Sequence, residues 1–255
     1  MSKKCYPTSC PINTCQICGS KRLESILFIG YIPPVNTMPL IGSILVEHAS
    51  YPLELIRCSD CTLVQIGLVV DADVLFPPEY PYLSGSTKIL RENFADLYQE
   101  SSNMLMLKSD DFIIDIGSND GTLLENFKKG GHRVLGIEAS LASEVANKKG
   151  IPTIMSFFSA ATEEGVKKEY GKAKVITAAN VFAHIGNIHS IVDGILCLLA
   201  PDGVFISESH YLLDLVEMLQ YDTIYHEHLR YYSLGSLAYL LKQHDIEVFH
   251  VKRIP

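Results

Sequence analysis

Two Cys-x-x-Cys pairs, Cys15–Cys18 and Cys58–Cys61, constrain the N-terminal part of this 255-residue chain more than any other feature. A two-residue spacer turns both thiolates of a pair toward one ion, and two pairs complete a tetrahedral set of four cysteine ligands. The segment around them has few long apolar runs, and one this small usually needs a metal or disulfide staple. Zinc held by all four thiolates would contribute folding free energy and leave no open coordination position for catalysis. Four free thiols or a redox pair are the competing readings. Cys5 and Cys10, in a Pro- and Ser-containing tail, read as solvated bystanders; Cys197, inside the apolar run Ile195-Leu196-Cys197-Leu198-Leu199, reads as a core residue.

Six of the seven cysteines fall in the first 61 residues, an uneven set that suits a reducing compartment better than a disulfide framework. A formal charge of −8 supplies no basic field for phosphate backbones or anionic lipid, so neither nucleic acid nor membrane is expected as a partner. No apolar stretch approaches the ~18 to 20 residues that span a bilayer, and Met1 to Ser20 lacks a signal-peptide core. The chain reads as cytoplasmic.

Three segments are expected: residues 1–79 as a small metal-binding domain, 80–108 as a connecting helix, and 109–255 as an α/β domain. Gly30 to Asn36 reads as a turn with extended flanks, and Phe76-Pro77-Pro78-Glu79-Tyr80-Pro81-Tyr82 as a proline-stiffened boundary. A helix is predicted from Ser86, capped by Ser86 or Thr87, with Ile89, Leu90, Phe94, Leu97 and Leu105 as its apolar stripe. Strands are predicted at Phe112–Ile116, Val134–Glu138, Val175–Ala179, Val204–Glu208 and Glu247–Val251, separated by helix-like stretches. That alternation implies a parallel sheet with a ligand site at the carboxyl ends of its strands.

The turn Asp115-Ile116-Gly117-Ser118-Asn119-Asp120-Gly121 carries the first chemical information. Its glycines let a ligand lie against the backbone, and Asp115 puts a carboxylate where a dinucleotide site prefers donors for a pyrophosphate. An acidic turn suits a nucleoside bearing cationic groups, such as S-adenosylmethionine, better than NAD. Glu138, at the end of the next strand, is placed to accept both ribose hydroxyls. Asn119 stands where glycine is common, and asparagine tolerates positive φ.

Beyond these features, the chain resembles the sugar C-methyltransferases that act on nucleotide-linked keto-sugars. The resemblance rests on the cysteine knuckles, Pro33-Pro34-Val35-Asn36, Tyr80-Pro81-Tyr82-Leu83-Ser84, the turn from Asp115 to Thr122, Asn180-Val181-Phe182-Ala183-His184, and Tyr225-His226-Glu227-His228-Leu229-Arg230-Tyr231-Tyr232-Ser233. It implies a class I methyltransferase, Rossmann-like sheet preceded by a small zinc-binding domain, with S-adenosylmethionine and zinc as cofactors. Such proteins continue into a third domain that helps hold the sugar. This chain stops at Pro255, where that domain and the last antiparallel strand would follow, so self-association or a separately encoded C-terminal partner is expected.

Methylating carbon requires a base, a partner for the enolate oxygen and a closed pocket. By resemblance His228 is the leading candidate base, Glu227 its orienter or a sugar-hydroxyl acceptor, and Tyr225 a donor to the developing oxyanion. A histidine titrating near neutral pH suits the base role. On a helical turn Tyr225 and His228 share a face, whereas in an extended chain Tyr225 and Glu227 do; the sequence admits both. His184, Tyr80 and Tyr82 are further sugar-site candidates, and Asn180 a candidate contact to the cofactor's methionine moiety. A surface His-Glu-His cluster or adventitious metal binding by His226 and His228 is the bland alternative. His48, His132, His189, His210, His244 and His250 carry no motif signal. A truncated, non-catalytic S-adenosylmethionine-binding protein or half of a split enzyme is the rival function, and methylation at oxygen or nitrogen a third.

Overall fold

The computed structural model describes residues 9–36, 41–44, 47–76 and 82–254. Contacts divide the chain into two compact units: Met1–Leu75 with Ala183–Ile188 and His210–Pro255, and Phe76–Phe182 with His189–Ser209. Residues 210–254, read from sequence as the end of the methyltransferase domain, thus cluster with the cysteine-bearing unit.

In the first unit β1 (Ser9–Pro11), β2 (Leu23–Ile32), β3 (Tyr51–Cys58), β4 (Val64–Ile66) and β5 (Leu68–Val70) precede a short helix α1 (Ala72–Leu75). β2, β3 and β4 form an antiparallel meander, extended on the β4 side by the two-residue strand Arg230–Tyr231, while β1 pairs with β5. The ladder joins residues far apart in sequence: Arg230 lies opposite Gln65 and Tyr231 opposite Val64. Alternation along β3 buries Leu53 and Leu55, which pack with Val64, Ile66, Leu215, Leu229 and Tyr231.

The second unit carries a five-stranded, all-parallel sheet built from β6 (Phe112–Ile116), β7 (Arg133–Glu138), β8 (Thr153–Met155), β9 (Ala173–Ala179) and β10 (Leu199–Glu208). Spatial order is β10-β9-β6-β7-β8, so the direction of winding reverses at β6, between β7 and β9. This is the class I methyltransferase arrangement, and such a reversal opens a ligand crevice at the strands' carboxyl ends. All five residues of β6 are buried, as a central parallel strand covered on both faces must be. Helices α2 (Lys88–Leu105), α3 (Thr122–Lys129), α4 (Ala142–Lys148), α5 (Ala160–Glu169) and α6 (Ile188–Leu198) complete it. Phe94, Ile113, Leu123, Leu124, Phe127, Ala146, Ile151 and Val175 form its core, with Leu90, Leu97 and Leu105 packed against them. Two helices, α7 (Leu212–Glu217) and α8 (Leu234–Lys242), return to the first unit; Ser233 and Ser236 close a capping box on α8.

Several local expectations are corrected. Thr87 has the extended conformation of an N-cap on α2 but makes no side-chain capping bond, and Ile89 points to solvent at 79% exposure. Cys197 is exposed: Ile191, Val192, Ile195 and Leu198 occupy the inward face of α6, and the helical period puts residue 197 opposite them. Glu247–Val251 is irregular, since among the described residues no strand pairs with it and an extended segment becomes a strand only when its N–H and C=O groups find a ladder. The three-residue β8 has too few positions to show a period. Among the described residues no helix is long and apolar enough to cross a membrane.

Candidate functional site

Each cysteine knuckle is shaped by the same backbone device. The N–H of Gly19 donates to the Cys15 carbonyl at 3.0 Å and that of Thr62 to the Cys58 carbonyl at 3.0 Å. Both closing residues lie in the left-handed region, Gly19 at φ 70° and Thr62 at φ 60°. The four Sγ atoms lie within 4.8 Å of one another, with Cys15–Cys61 at 3.4 Å and Cys18–Cys58 at 3.5 Å. Tetrahedral zinc with bonds of about 2.3 Å separates its sulfurs by about 3.8 Å, so the donor set fits. Burial pushes the Cys15 thiol up to about 11 and raises Cys61 as well. At Cys15 and Cys61 a thiolate is costly without a cation, whereas at Cys58 burial is outweighed by hydrogen bonds within the cluster, which lower the pKa; a divalent ion favours the thiolate at every position. Cys10 is exposed and outside the cluster, and Cys5 lies outside the described residues.

In the second unit, the turn after β6 brings acidic groups to the carboxyl ends of three strands. Asp115 is buried in β6, and Thr177 Oγ1 donates to its carboxylate at 2.6 Å. Burial raises its pKa to about 7; the Thr177 bond opposes this, and the charges of Glu138 and Glu208 add to it. Glu138, ending β7, accepts from the Asn119 N–H through Oε2 at 2.9 Å and from the Ser140 N–H through Oε1 at 2.8 Å. Each carboxylate oxygen keeps a further lone pair, the number a vicinal diol needs. Glu208, ending β10, accepts from Asn93 Nδ2 at 2.9 Å and from Asn180 Nδ2 at 2.9 Å. Neither Asn93 nor Glu208 was foreseen: the pairing of β10 with β9 sets Glu208 opposite Ala179, next to Asn180, and Asn93 reaches it from α2.

Every backbone N–H from Gly117 through Thr122 already has an acceptor within the chain. The turn therefore offers no donor to a pyrophosphate, in keeping with a sulfonium nucleoside in place of a dinucleotide. Asn119 adopts φ 49° as its residue type permits. Its amide is used in the protein: Oδ1 accepts from the Ser84 N–H at 2.8 Å and Nδ2 donates to the Tyr82 carbonyl at 3.0 Å. The Asp120 carboxylate takes Thr122, Lys149 and the Gly85 N–H, bonds that outweigh its burial and hold it below the usual carboxylate range. Together these bonds fasten Tyr82 and its neighbours to the turn. Tyr82 is 45% exposed; burial and the Asp120 charge raise its hydroxyl pKa. Tyr80 lies outside the described residues.

Gly117 sits at φ 70°, and a β-carbon there would meet Val181 Cγ2 at 2.3 Å. Gly121, the cap of α3, is at φ 77°. Gly117→Ala is expected to lower stability by about 1–3 kcal/mol and to weaken S-adenosylhomocysteine binding, read by thermal unfolding and calorimetry. Unchanged values in both would show that the turn has no need of glycine.

In the first unit, residues 225–228 form a turn in which the His228 N–H donates to the Tyr225 carbonyl at 3.1 Å. Of the two geometries the sequence admits, this is the one that puts Tyr225 and His228 on one face. His228 is buried, with Nδ1 on the Thr223 carbonyl at 2.7 Å and Nε2 facing the Tyr225 hydroxyl at 3.1 Å. A carbonyl only accepts, so Nδ1 carries the proton and the Nε2 lone pair faces Tyr225. The orienter is thus Thr223. Glu227, also buried, accepts from Asn36 Nδ2 at 2.5 Å. His226 is buried against the Pro52 carbonyl and edge-on to Tyr51, which removes it from any surface cluster.

The His184 ring lies 4.7 Å from that of His228, and His210, to which sequence assigned nothing, lies at 5.1 Å. Burial lowers the His228 pKa to about 4, the Thr223 bond opposing and the His210 charge assisting, well below the neutral titration expected from sequence.

Comparison with known proteins places this geometry among relatives. A family model described as "Methyltransferase domain" matches residues 87–251, and one described as "Putative zinc binding domain" matches residues 15–76. C-methyltransferase NovU of Streptomyces niveus is 34% identical over 248 residues, covering 94% of this chain and 57% of that protein. The chain thus spans little more than half the length of this relative. Among solved structures, the plantazolicin methyltransferase BpumL in complex with SAH aligns at TM-score 0.46 and 21% identity, over 60% of this chain and 61% of that one. An S-adenosylmethionine-dependent methyltransferase from Clostridium acetobutylicum aligns at TM-score 0.42 and 17% identity, over 53% of this chain and 56% of that one.

Proposed function

The chain belongs to the methyltransferase-domain family, and from that premise we propose that it is an S-adenosylmethionine-dependent C-methyltransferase acting on a nucleotide-linked deoxy keto-sugar through an enolate. The carrying observation is the convergence of Asp115, Glu138 and Glu208 at the carboxyl ends of β6, β7 and β10, beside a turn whose N–H groups are all engaged. Carboxylates without free amide donors favour a cationic nucleoside. Glu138 holds the ribose hydroxyls, Glu208 supplies negative field, Asp115, held near 7 by burial, adds its charge when a cation is bound beside it, and Gly117 and Gly121 let the turn close against Val181 and Ile151. Asn119, Asp120 and Asn180 set the turn and the Glu208 carboxylate in place. The bound cofactor supplies an electrophilic methyl group.

His228 Nε2 takes the proton from the carbon beside the ketone. Its lone pair is engaged by the Tyr225 hydroxyl at rest, and it becomes free when Tyr225 turns its proton to the ketone oxygen. Tyr225 then stabilises the enolate, the nucleophile to which a bound cofactor would supply its methyl group. His184 and Glu227 hold sugar hydroxyls. Identity to a C-methyltransferase supports transfer to carbon over oxygen or nitrogen.

The test is transfer of labelled methyl to a panel of nucleotide-linked keto-sugars, with the product bond identified by NMR. An ether or amine product rejects carbon transfer, and tight cofactor binding with no transfer to any acceptor favours the non-catalytic reading. Glu138→Ala should weaken S-adenosylhomocysteine binding at least about tenfold by calorimetry, through loss of charge-assisted bonds. An unaltered affinity would remove Glu138 from the site.

A further inference from the structure

Among the described residues Arg230 is the largest fully buried side chain, yet the oxygens it binds are all neutral. Its guanidinium donates to the Tyr232 hydroxyl at 3.0 Å, to the Gly186 carbonyl at 3.4 Å, and to the Ile185 carbonyl and Gln16 Oε1. A buried guanidinium carries a desolvation cost and persists where its planar fork holds several acceptors in one geometry. The identity of those acceptors gives it a meaning beyond packing.

Gln16 stands between Cys15 and Cys18, in the loop of the first knuckle. Its backbone N–H donates to Gln65 Oε1 at 2.9 Å, and Gln65 lies opposite Arg230 in the ladder with β4. On the other side, Ile185 and Gly186 directly follow His184, and the Leu229 N–H donates to the Ala183 carbonyl at 3.0 Å. Residues 183, 185 and 186 are therefore all held by Leu229 and Arg230, with His184 between them and its ring 4.7 Å from that of His228.

We propose that Arg230 is a positioning residue that couples the cysteine knuckle to the acceptor site: through Gln16 it transmits the knuckle's conformation to the His184 segment and so sets the His184–His228 contact. Zinc then does more than staple a remote subdomain, because the loop it closes is one wall of the clamp that aims His184. This deepens the function proposed above, in which His184 and His228 face the acceptor. Arg230 acts through the Ile185 and Gly186 carbonyls that follow His184.

The test uses the full zinc-loaded chain. Arg230→Lys keeps the charge but cannot reproduce the fork, and Gln16→Ala cuts the knuckle-side bond without touching a cysteine. Zinc content is measured by native mass spectrometry, S-adenosylhomocysteine affinity by calorimetry, and the His184 and His228 ring resonances by NMR. Both variants are expected to keep one zinc and unaltered cofactor affinity while shifting both histidines' ring resonances. Their catalytic efficiency toward the acceptor should fall about 100-fold, the scale of an ångström-sized misplacement. Should Arg230→Lys fail to fold, Gln16→Ala decides alone. Zinc-loaded Gln16→Ala with wild-type ring resonances overturns the coupling. The resonances are read without acceptor or turnover, so shifted rings in a chain that transfers no methyl reject the function and keep the coupling, while transfer with unmoved rings does the reverse.

Discussion

Replacing His228 with asparagine is expected to lower kcat by about 10²- to 10⁴-fold, the range a positioned base supplies, while leaving S-adenosylmethionine affinity unchanged. The affinity should hold because Asp115, Glu138 and Glu208 keep their Thr177, Asn119, Ser140, Asn93 and Asn180 partners in the variant. Asparagine keeps a donor for the Thr223 carbonyl but has no basic nitrogen, which separates loss of the base from loss of the turn. Full activity in His228→Asn would remove this residue from proton abstraction.

The same histidine predicts the acid limb of the pH profile. Only neutral imidazole accepts the proton, and burial holds the free protein's His228 at about 4, below the ordinary 6.5. At saturating S-adenosylmethionine, whose positive charge favours the ionised Asp115, kcat/KM for the acceptor should therefore persist below pH 6 and fall only near pH 4. Between those two values the unfolded chain binds a proton that the folded chain refuses. The stability due to this group is thus complete above about 6.5 and is lost as pH falls toward 4, by of order 3 kcal/mol. An acid limb near 6.5 would show that His184, His210, Tyr225 and Tyr231 around the ring leave it far better solvated than its burial implies.

Removing the metal is expected to have the larger structural effect. Structural zinc contributes about 10–16 kcal/mol in small zinc peptides, comparable to the whole stability of an ordinary domain at about 5–15 kcal/mol. Cys61→Ser, or chelation of the wild type, should abolish zinc binding and the cooperative unfolding of the first unit, read by mass spectrometry and by hydrogen exchange along β3. Cys10→Ser and Cys197→Ser, both exposed and outside the cluster, serve as controls and should retain the ion. A Cys61→Ser protein with undiminished β3 protection and no metal would show that the unit folds on its apolar core alone.

Much of the fold was legible because its signals are local. A two-residue spacer between thiols, an apolar strand entering a glycine turn, and a carboxylate ending the next strand each lie within a few residues, where backbone geometry leaves few alternatives. The same logic misjudged Cys197, whose apolar neighbours in sequence hid its position on the outer face of α6, and Glu247–Val251, whose composition suits a strand that finds no ladder among the described residues. Composition reports what a segment tolerates, and its partners decide what it becomes.

By itself the sequence determined the four-cysteine donor set, the parallel sheet and the acidic glycine turn at its edge. Only the tertiary structure decided that Thr223 aims His228, that His210 stands beside it, that Asn93 and Asn180 hold Glu208, and that Arg230 reaches both Gln16 and the carbonyls after His184. Those partners are brought together by strand order and ladder register, which depend on how the whole chain closes its core and satisfies its buried polar groups, a property no short window of residues contains.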